Sequence, residues 1–119
     1  MSKQANQPHV TIIGSGVGGI CMAMQLIRHG RNNFTILEKA EDIGGTWRDN
    51  DYPGCACDVP SHFYSFSFET RGNWSRVYPA RKEIHAYLNE LTEKYRLRKK
   101  TRFNSELLSA KFDEKSQKW

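Results

Sequence analysis

The chain has 119 residues, 38% of them hydrophobic, which is enough for one small core. Its formal charge of +5, pI of about 9.2 and mean hydropathy of −0.72 argue against a membrane-embedded class. Three cysteines, Cys21, Cys55 and Cys57, lack the spacing of a disulfide framework and fit a reducing compartment, and no cationic leader with an apolar core opens the chain, so a soluble cytoplasmic protein is expected.

Met1–Pro8 is polar and reads as a disordered arm. Val10–Ile13 is a short apolar run that leads into Gly14-Ser15-Gly16-Val17-Gly18-Gly19. A helix is expected from about Gly16 to His29, because Val17, Ile20, Met24 and Ile27 recur on one face. Met22 and Met24 are both expected as core fillers, and Gly30 as the stop. Val10–Ile27 is apolar enough to raise a membrane span, but its four glycines, Thr11, Ser15 and Gln25 split it into strand and amphipathic helix. A second apolar run, Phe34–Leu37, ends on Glu38. Strand, glycine turn, helix, strand and acid follow in the order of a dinucleotide-binding βαβ unit. Gly14 makes the sharp turn, Gly16 lets a pyrophosphate approach the backbone, and Gly19 lets the helix pack on the strand. The first helical N–H groups lack partners and favour an anion. Glu38 lies 19 residues after Gly19, close to the spacing of an acid that bonds ribose hydroxyls.

Lys39–Ser61 reads as a long loop, and its Trp47, Tyr52 and two cysteines argue against disorder. His62–Phe68 alternates aromatic and small residues and suits a short strand or an extended segment packed on a ligand. Ile84–Leu97 is a second helix, with Ile84, Tyr87, Leu88, Leu91 and Tyr95 on one stripe and Glu90–Lys94 as a surface pair. Its start resembles a capping box with Glu83 in place, but Ala80 stands where a hydroxyl would cap, an absence worth about 1 kcal/mol. Arg102–Asp113 reads as one or two strands, Asp113–Lys118 as a polar turn, and Trp119 as the start of a returning strand. The basic run Lys94–Arg102 reads as a solvated helix end rather than a nucleic-acid surface, since no nucleic-acid motif accompanies it.

The loop after Glu38 carries a denser pattern: Gly44-Gly45-Thr46-Trp47, Asn50, Tyr52-Pro53-Gly54, Cys57-Asp58, Ser61 and Tyr64, continued by Trp74–Pro79 and the helix. It resembles the N-terminal region of class B flavin monooxygenases, the group of Baeyer–Villiger and flavin-containing monooxygenases, from Val10 onward. The resemblance implies an α/β fold: a Rossmann-like FAD-binding βαβ unit within an incomplete, doubly wound parallel sheet, with an extra helix and the start of a C-terminal β-hairpin. It implies FAD and NADP as cofactors. In the family NADPH reduces the flavin, which captures O2 as a C4a-peroxyflavin and passes one oxygen atom to an organic substrate, making a ketone an ester or oxygenating nitrogen or sulfur. By position, Gly14, Ser15, Gly16, Val17, Gly18 and Gly19 would meet the FAD pyrophosphate, and Glu38 with Lys39 the adenosine ribose side. Gly45, Thr46 and Trp47 would lie along FAD, and Tyr64 would contact it. Ala56, Cys57 and Asp58 would approach NADP, with Asp58 as the acid beside flavin and nicotinamide.

Each of these has a plainer alternative. Asp58 could cap a turn, and Trp47 could be core. Cys55 and Cys57 with His62 lack the second ligand pair of a zinc site, so no metal is expected. Cys55-Ala56 stands where Baeyer–Villiger enzymes usually carry a small residue and then Arg, which leans the resemblance toward a less-characterised bacterial branch. The family's fingerprint segment, second glycine motif and catalytic Arg are not in these residues. Residues 9–119 are therefore expected to be the N-terminal portion of an FAD-binding domain, with no monooxygenase activity and no tight FAD binding alone. The alternatives are another two-dinucleotide flavoprotein, such as a disulfide reductase, and a non-catalytic nucleotide-binding or basic interaction module. No nucleic-acid or membrane partner is expected.

Overall fold

The computed structural model describes residues 7–119. The expected arm over 1–8 falls outside the described residues except for its last two. Of these, the Gln7 carbonyl accepts a bond from Asn33 Nδ2 at 3.4 Å.

The elements, in chain order, are β1 (Val10–Ile13), α1 (Val17–Arg28), β2 (Phe34–Leu37), α2 (Thr46–Asp49), α3 (Arg81–Lys94), a 3₁₀ turn (Leu97–Lys100) and β3 (Thr101–Arg102). The strands form one parallel sheet in the order β1-β2-β3. Val10 pairs with Phe34 and Ile13 with Leu37, while Ile36 and Leu37 pair with Thr101 and Arg102. The expected βαβ unit is therefore present with its strand bounds as read. Backbone bonds run on past β3: Glu38 N–H donates to Arg102 at 3.0 Å and Ser105 N–H to the Glu38 carbonyl at 2.9 Å. They hold Glu38 fixed at the end of its strand.

One sheet face is sealed. Ile12, Phe34 and Ile36 are buried with Ile20, Ala23 and Met24 of α1 and Ile84, Tyr87, Leu88 and Leu91 of α3. Area burial of such aliphatic side chains dominates the stability of a domain this small. Leu88 is 1% exposed. Leu88→Ala should cost about 3 kcal/mol and lower Tm by roughly 10–15 °C, as thermal denaturation followed by circular dichroism would read.

Several local expectations change. Met22 is 50% exposed, while Met24 is fully buried. Met22 sits two residues from both Ile20 and Met24, off the stripe that faces the sheet. The loop after Glu38 contains the short helix α2. The second helix runs over Arg81–Lys94 and stops because Arg96 turns left-handed at φ 55°, leaving Leu97 to be buried from the 3₁₀ turn. Ala80 caps it with no side-chain bond, as expected. Glu83 turns away from the helix start and accepts from Ser75 N–H at 2.8 Å and Ser75 Oγ at 2.7 Å. The Glu90–Lys94 pair does not form. Lys94 reaches Glu69 at 2.8 Å, and Glu90 faces Arg71 at 3.7 Å. Glu69 is the better partner because it is largely buried and also accepts from Tyr95 Oη at 2.7 Å.

Residues 62–68 form turns, and 103–112 form no strand. Leu108 is 89% exposed, since alternation without a neighbouring strand has no ladder to join. The hairpin start reduces to one antiparallel bridge, Asp113 with Lys118, beside the edge-on rings of Phe112 and Trp119 at 5.4 Å.

Candidate functional site

A cleft of about 380 Å³ opens beyond the carboxyl ends of β1 and β2, where open α/β sheets bind ligands. Gly14, Ser15, Gly16, Glu38, Lys39 and Gly45 line it, joined by Arg48. Gly16 is the N-cap of α1 and offers no side-chain bond, and the first turn of α1 carries no acid. Its first amides and the positive end of the helix are thus left for an anion.

Two close approaches shape the cleft. A Cβ on Gly19 would lie 1.9 Å from the Gly14 carbonyl oxygen, so α1 reaches the strand end only without one. Gly45, at φ 52°, would place a Cβ 2.9 Å from Gly16 Cα. The Gly44–Gly45 turn thereby lies directly on the glycine turn of the βαβ unit, tied by Gly44 N–H to the Ser15 carbonyl at 2.9 Å.

Glu38 is 4% exposed. Its Oε2 accepts from Ser15 N–H at 2.8 Å and Ser15 Oγ at 2.6 Å, and its Oε1 accepts from Ala40 N–H at 2.9 Å. The Arg48 guanidinium stands 3.5 Å from Oε1. Burial pushes the carboxyl upward, but the Ser15 hydroxyl, the Ala40 and Ser15 amides and the Arg48 charge together hold it below its ordinary value. Both lone-pair directions of Oε2 are in use, so Oε1 is the atom through which Glu38 can meet a ligand hydroxyl, beside Arg48.

Arg48 is one of the cleft residues that sequence reasoning missed; Ile13, Asp49, Glu106 and Leu107 also line the cleft. Arg48 donates to the Asp42 carbonyl at 2.6 Å and grips its neighbour Asp49 through Nε at 3.0 Å and Nη2 at 2.8 Å. Its only signal in the sequence is a cation directly after Gly-Gly-Thr-Trp. Arg81 of α3 supports it from behind, donating to the Trp47 carbonyl at 2.6 Å and the Arg48 carbonyl at 3.1 Å, which caps α2.

The other expected residues are spread around this cleft. Val17 and Tyr64 line a separate apolar pocket of about 190 Å³ with Phe66 and Tyr87. Trp47 is buried and donates from Nε1 to Tyr64 Oη at 3.0 Å, with the rings edge-on at 5.6 Å. Thr46 and Gly18 are exposed. Ala56 bridges Ala80, and Cys57 N–H donates to the Pro79 carbonyl at 2.9 Å, so the Ala56–Cys57–Asp58 segment is strapped to the start of α3. Asp58 is exposed at the end of this strap and lines neither pocket. Among the described residues its carboxylate accepts no hydrogen bond, so the turn-capping alternative has no bond behind it.

The three cysteines are free thiols, and no group of residues suited to a metal occurs among the described residues. No described helix is long and apolar enough to cross a membrane. The basic run is partly neutralised: Lys94 pairs with Glu69, Arg98 with Asp42 and Glu93 at 2.8 and 2.9 Å, and Lys100 donates to the Asn32 carbonyl.

Comparison with known proteins agrees with this geometry. Residues 12–80 match the model of the NAD(P)-binding Rossmann-like domain family. A Baeyer–Villiger monooxygenase of Pseudomonas aeruginosa is 50% identical over 110 residues, 92% of this chain and 21% of the relative. A cyclohexanone monooxygenase variant of Rhodococcus sp. Phi1, solved bound to NADP+, superposes with a TM-score of 0.84 at 35% identity, over 91% of this chain and 22% of the other. The protein OTEMO, solved in complex with FAD and NADP, superposes with a TM-score of 0.81 at 32% identity, over 90% of this chain and 21% of the other. The chain thus spans about a fifth of the length of the relatives it matches.

Proposed function

The chain belongs to the NAD(P)-binding Rossmann-like domain family, and from that premise we propose that it forms the FAD-binding N-terminal portion of an NADPH-dependent flavin monooxygenase. The whole enzyme would insert one oxygen atom from O2 into a small organic substrate, by ketone-to-ester conversion or by oxygenation of nitrogen or sulfur. The observation that carries this reading is the uncapped start of α1 facing a cleft that also holds the buried Glu38 carboxylate. Phosphate and ribose hydroxyls are the chemistry those two groups suit.

The residues present fit the adenosine diphosphate half of FAD. The amides after Gly16 would hold the pyrophosphate, with Gly14, Ser15, Val17, Gly18 and Gly19 shaping the turn. Glu38 Oε1 would accept a ribose hydroxyl near Lys39, and Gly45, Thr46 and Trp47 would run along the cofactor. The flavin, when bound, supplies the redox chemistry that activates O2. The protein's part is to bind, orient and exclude water. Asp58 is assigned as the acid beside flavin and nicotinamide, on the strap with Ala56 and Cys57, and Tyr64 as an FAD contact. The strap that carries Asp58 is fixed to the start of α3 by the Ala56–Ala80 bridge and the Cys57–Pro79 bond, which gives the exposed carboxyl a defined position. The free thiols support a reducing, cytoplasmic setting.

Titration followed by tryptophan fluorescence tests this. FAD and ADP should compete for one site with Kd of about 10 μM to 1 mM, and FMN, which lacks the adenosine half, should not bind there. Equal binding of FMN, or none of any ligand at millimolar concentration, would overturn the reading. Flavin absorbance in the purified chain together with NADPH-driven O2 uptake would show instead that the chain is active alone.

A further inference from the structure

The basic run at the end of α3 divides in two. Lys94 is paired with Glu69, and Arg98 with Asp42 and Glu93. Lys99, Lys100 and Arg102 instead line a recess of about 310 Å³ in which no carboxylate stands among the described residues. The recess lies at the amino end of the sheet. His9 stands before β1, Asn32 and Asn33 before β2, and Lys99 and Lys100 before β3. The cleft of Glu38 is at the other end of the same strands, and the four residues of β2 separate the two by roughly 13 Å. Open α/β sheets take their usual ligand at the carboxyl ends, so the recess is a separate feature.

Hydrogen bonds fix its walls. Asn33 Nδ2 donates to the Gln7 carbonyl at 3.4 Å, which leaves Oδ1 as the acceptor for His9. His9 donates to that oxygen from Nδ1 at 2.7 Å and meets Thr35 Oγ1 through Nε2 at 3.0 Å. Lys100 ties the 3₁₀ turn to the same loop: it donates to the Asn32 carbonyl, and its ammonium lies 5.2 Å from the centre of the Phe34 ring. Lys99 and Arg102 are exposed, and among the described residues neither side chain makes a hydrogen bond or an ion pair.

We propose that this recess is a second anion site, for a small molecule that carries two phosphate monoesters, with Lys99 and Arg102 as the groups that bind it. Charge and size select that ligand. Three permanent cations line a space at the lower limit of small-molecule sites, which is about 300 Å³. A phosphate monoester brings about −1.5 to −2 charges at pH 7, so two of them match the three cations, where carboxylates would need three groups in the same space. Arg102 can take a phosphate through two parallel N–H bonds, and Lys99 as a point charge. A nucleic acid needs a longer positive stripe, and Glu69, Asp42 and Glu93 interrupt this one. The site is independent of the FAD reading, because no residue that lines the Glu38 cleft lines the recess.

The test is a titration of the intact chain with fructose 1,6-bisphosphate, followed by amide chemical shifts in NMR. The amides of residues 32–35 and 99–102 should shift along one saturating curve with a Kd below about 1 mM. Glucose 6-phosphate, which has one phosphate, should bind about tenfold more weakly or worse. Lys99→Gln combined with Arg102→Gln should weaken the bisphosphate by about tenfold or more, without moving the unfolding midpoint, since both side chains are exposed. Lys111→Gln combined with Lys115→Gln removes the same charge from exposed positions outside the recess and should leave the affinity unchanged. No saturation at those amides would overturn the proposal. So would equal binding of the two sugar phosphates, or an equal loss in the two double variants, which would reduce the effect to net charge. A single-stranded RNA oligonucleotide that shifts the same amides at lower concentration than the bisphosphate would overturn it as well, making the recess part of a nucleic-acid surface.

Discussion

Gly19→Ala should destabilise the chain by about 2–3 kcal/mol, while Gly18→Ala, one residue earlier in the same helix, should stabilise it by about 0.5–1 kcal/mol. Both substitutions replace a helical glycine and restrict the unfolded chain equally, so propensity alone predicts the same gain for each. Space separates them. A Cβ at Gly18 meets nothing within 4 Å. A Cβ at Gly19 would lie 1.9 Å from the Gly14 carbonyl oxygen and 2.9 Å from its carbon. Those are backbone atoms and cannot rotate aside, so α1 must lift from the end of β1. Ile20, Ala23 and Met24 lie on the same helix in the core and would move with it. Overpacking costs of about 3 kcal/mol or more then exceed the propensity gain. Urea unfolding of the three proteins reads the difference directly; equal shifts for the two variants would show that α1 does not depend on the approach. Because the clash also displaces the helix amides from the cleft, Gly19→Ala should lose ADP binding under native conditions.

This glycine shows which parts of the site were legible in the sequence. Gly14, Gly19 and Glu38 could be placed because a strand, a turn and a helix in succession leave few backbone paths, and each path needs a missing Cβ or an acid at fixed offsets. The same local logic gave the bounds of β1 and β2. It failed where the deciding partner is distant in the chain. Arg48 became a cleft residue through its position opposite Glu38, and Lys94 left Glu90 for Glu69, 25 residues away. Residues 103–112 alternate like a strand but have no neighbouring strand to bond, so the alternation alone does not make them one. Asp58 was found only through resemblance, and its geometry, exposed on a tethered strap, is compatible with a role that depends on a ligand the chain must meet.

Glu38→Gln should cost about 2–4 kcal/mol at pH 7, and that cost should shrink on acidification. The carboxylate accepts three hydrogen bonds from Ser15 and Ala40 and faces Arg48, all in a nearly dry setting. Bonds to a charged acceptor are worth about 1.5–3 kcal/mol each on removal. Glutamine keeps one acceptor oxygen, but its amide turns two protons toward existing donors and leaves Arg48 without its buried counter-charge. The pH dependence follows from the direction of the shift. The folded carboxyl titrates below its ordinary value of 4.5, so between the two values the unfolded chain binds more protons. The contribution of Glu38 is thus complete above about 4.5 and is lost as pH falls through the lower, folded value. Glutamine has no such proton to take up. The stability gap between the two proteins, measured by urea unfolding at pH 7, 5, 4 and 3, should therefore be constant from 7 to 5 and narrow below 4.5. A gap that stays constant or widens toward acid would mean that the carboxylate is not held by these donors in solution. ADP affinity separates the structural effect from the binding one. At pH 7, well below the denaturation midpoint, loss of the ribose acceptor should weaken ADP about tenfold, the equivalent of about 1.4 kcal/mol. Inorganic pyrophosphate, which has no ribose and meets only the amides of α1, should bind both proteins alike.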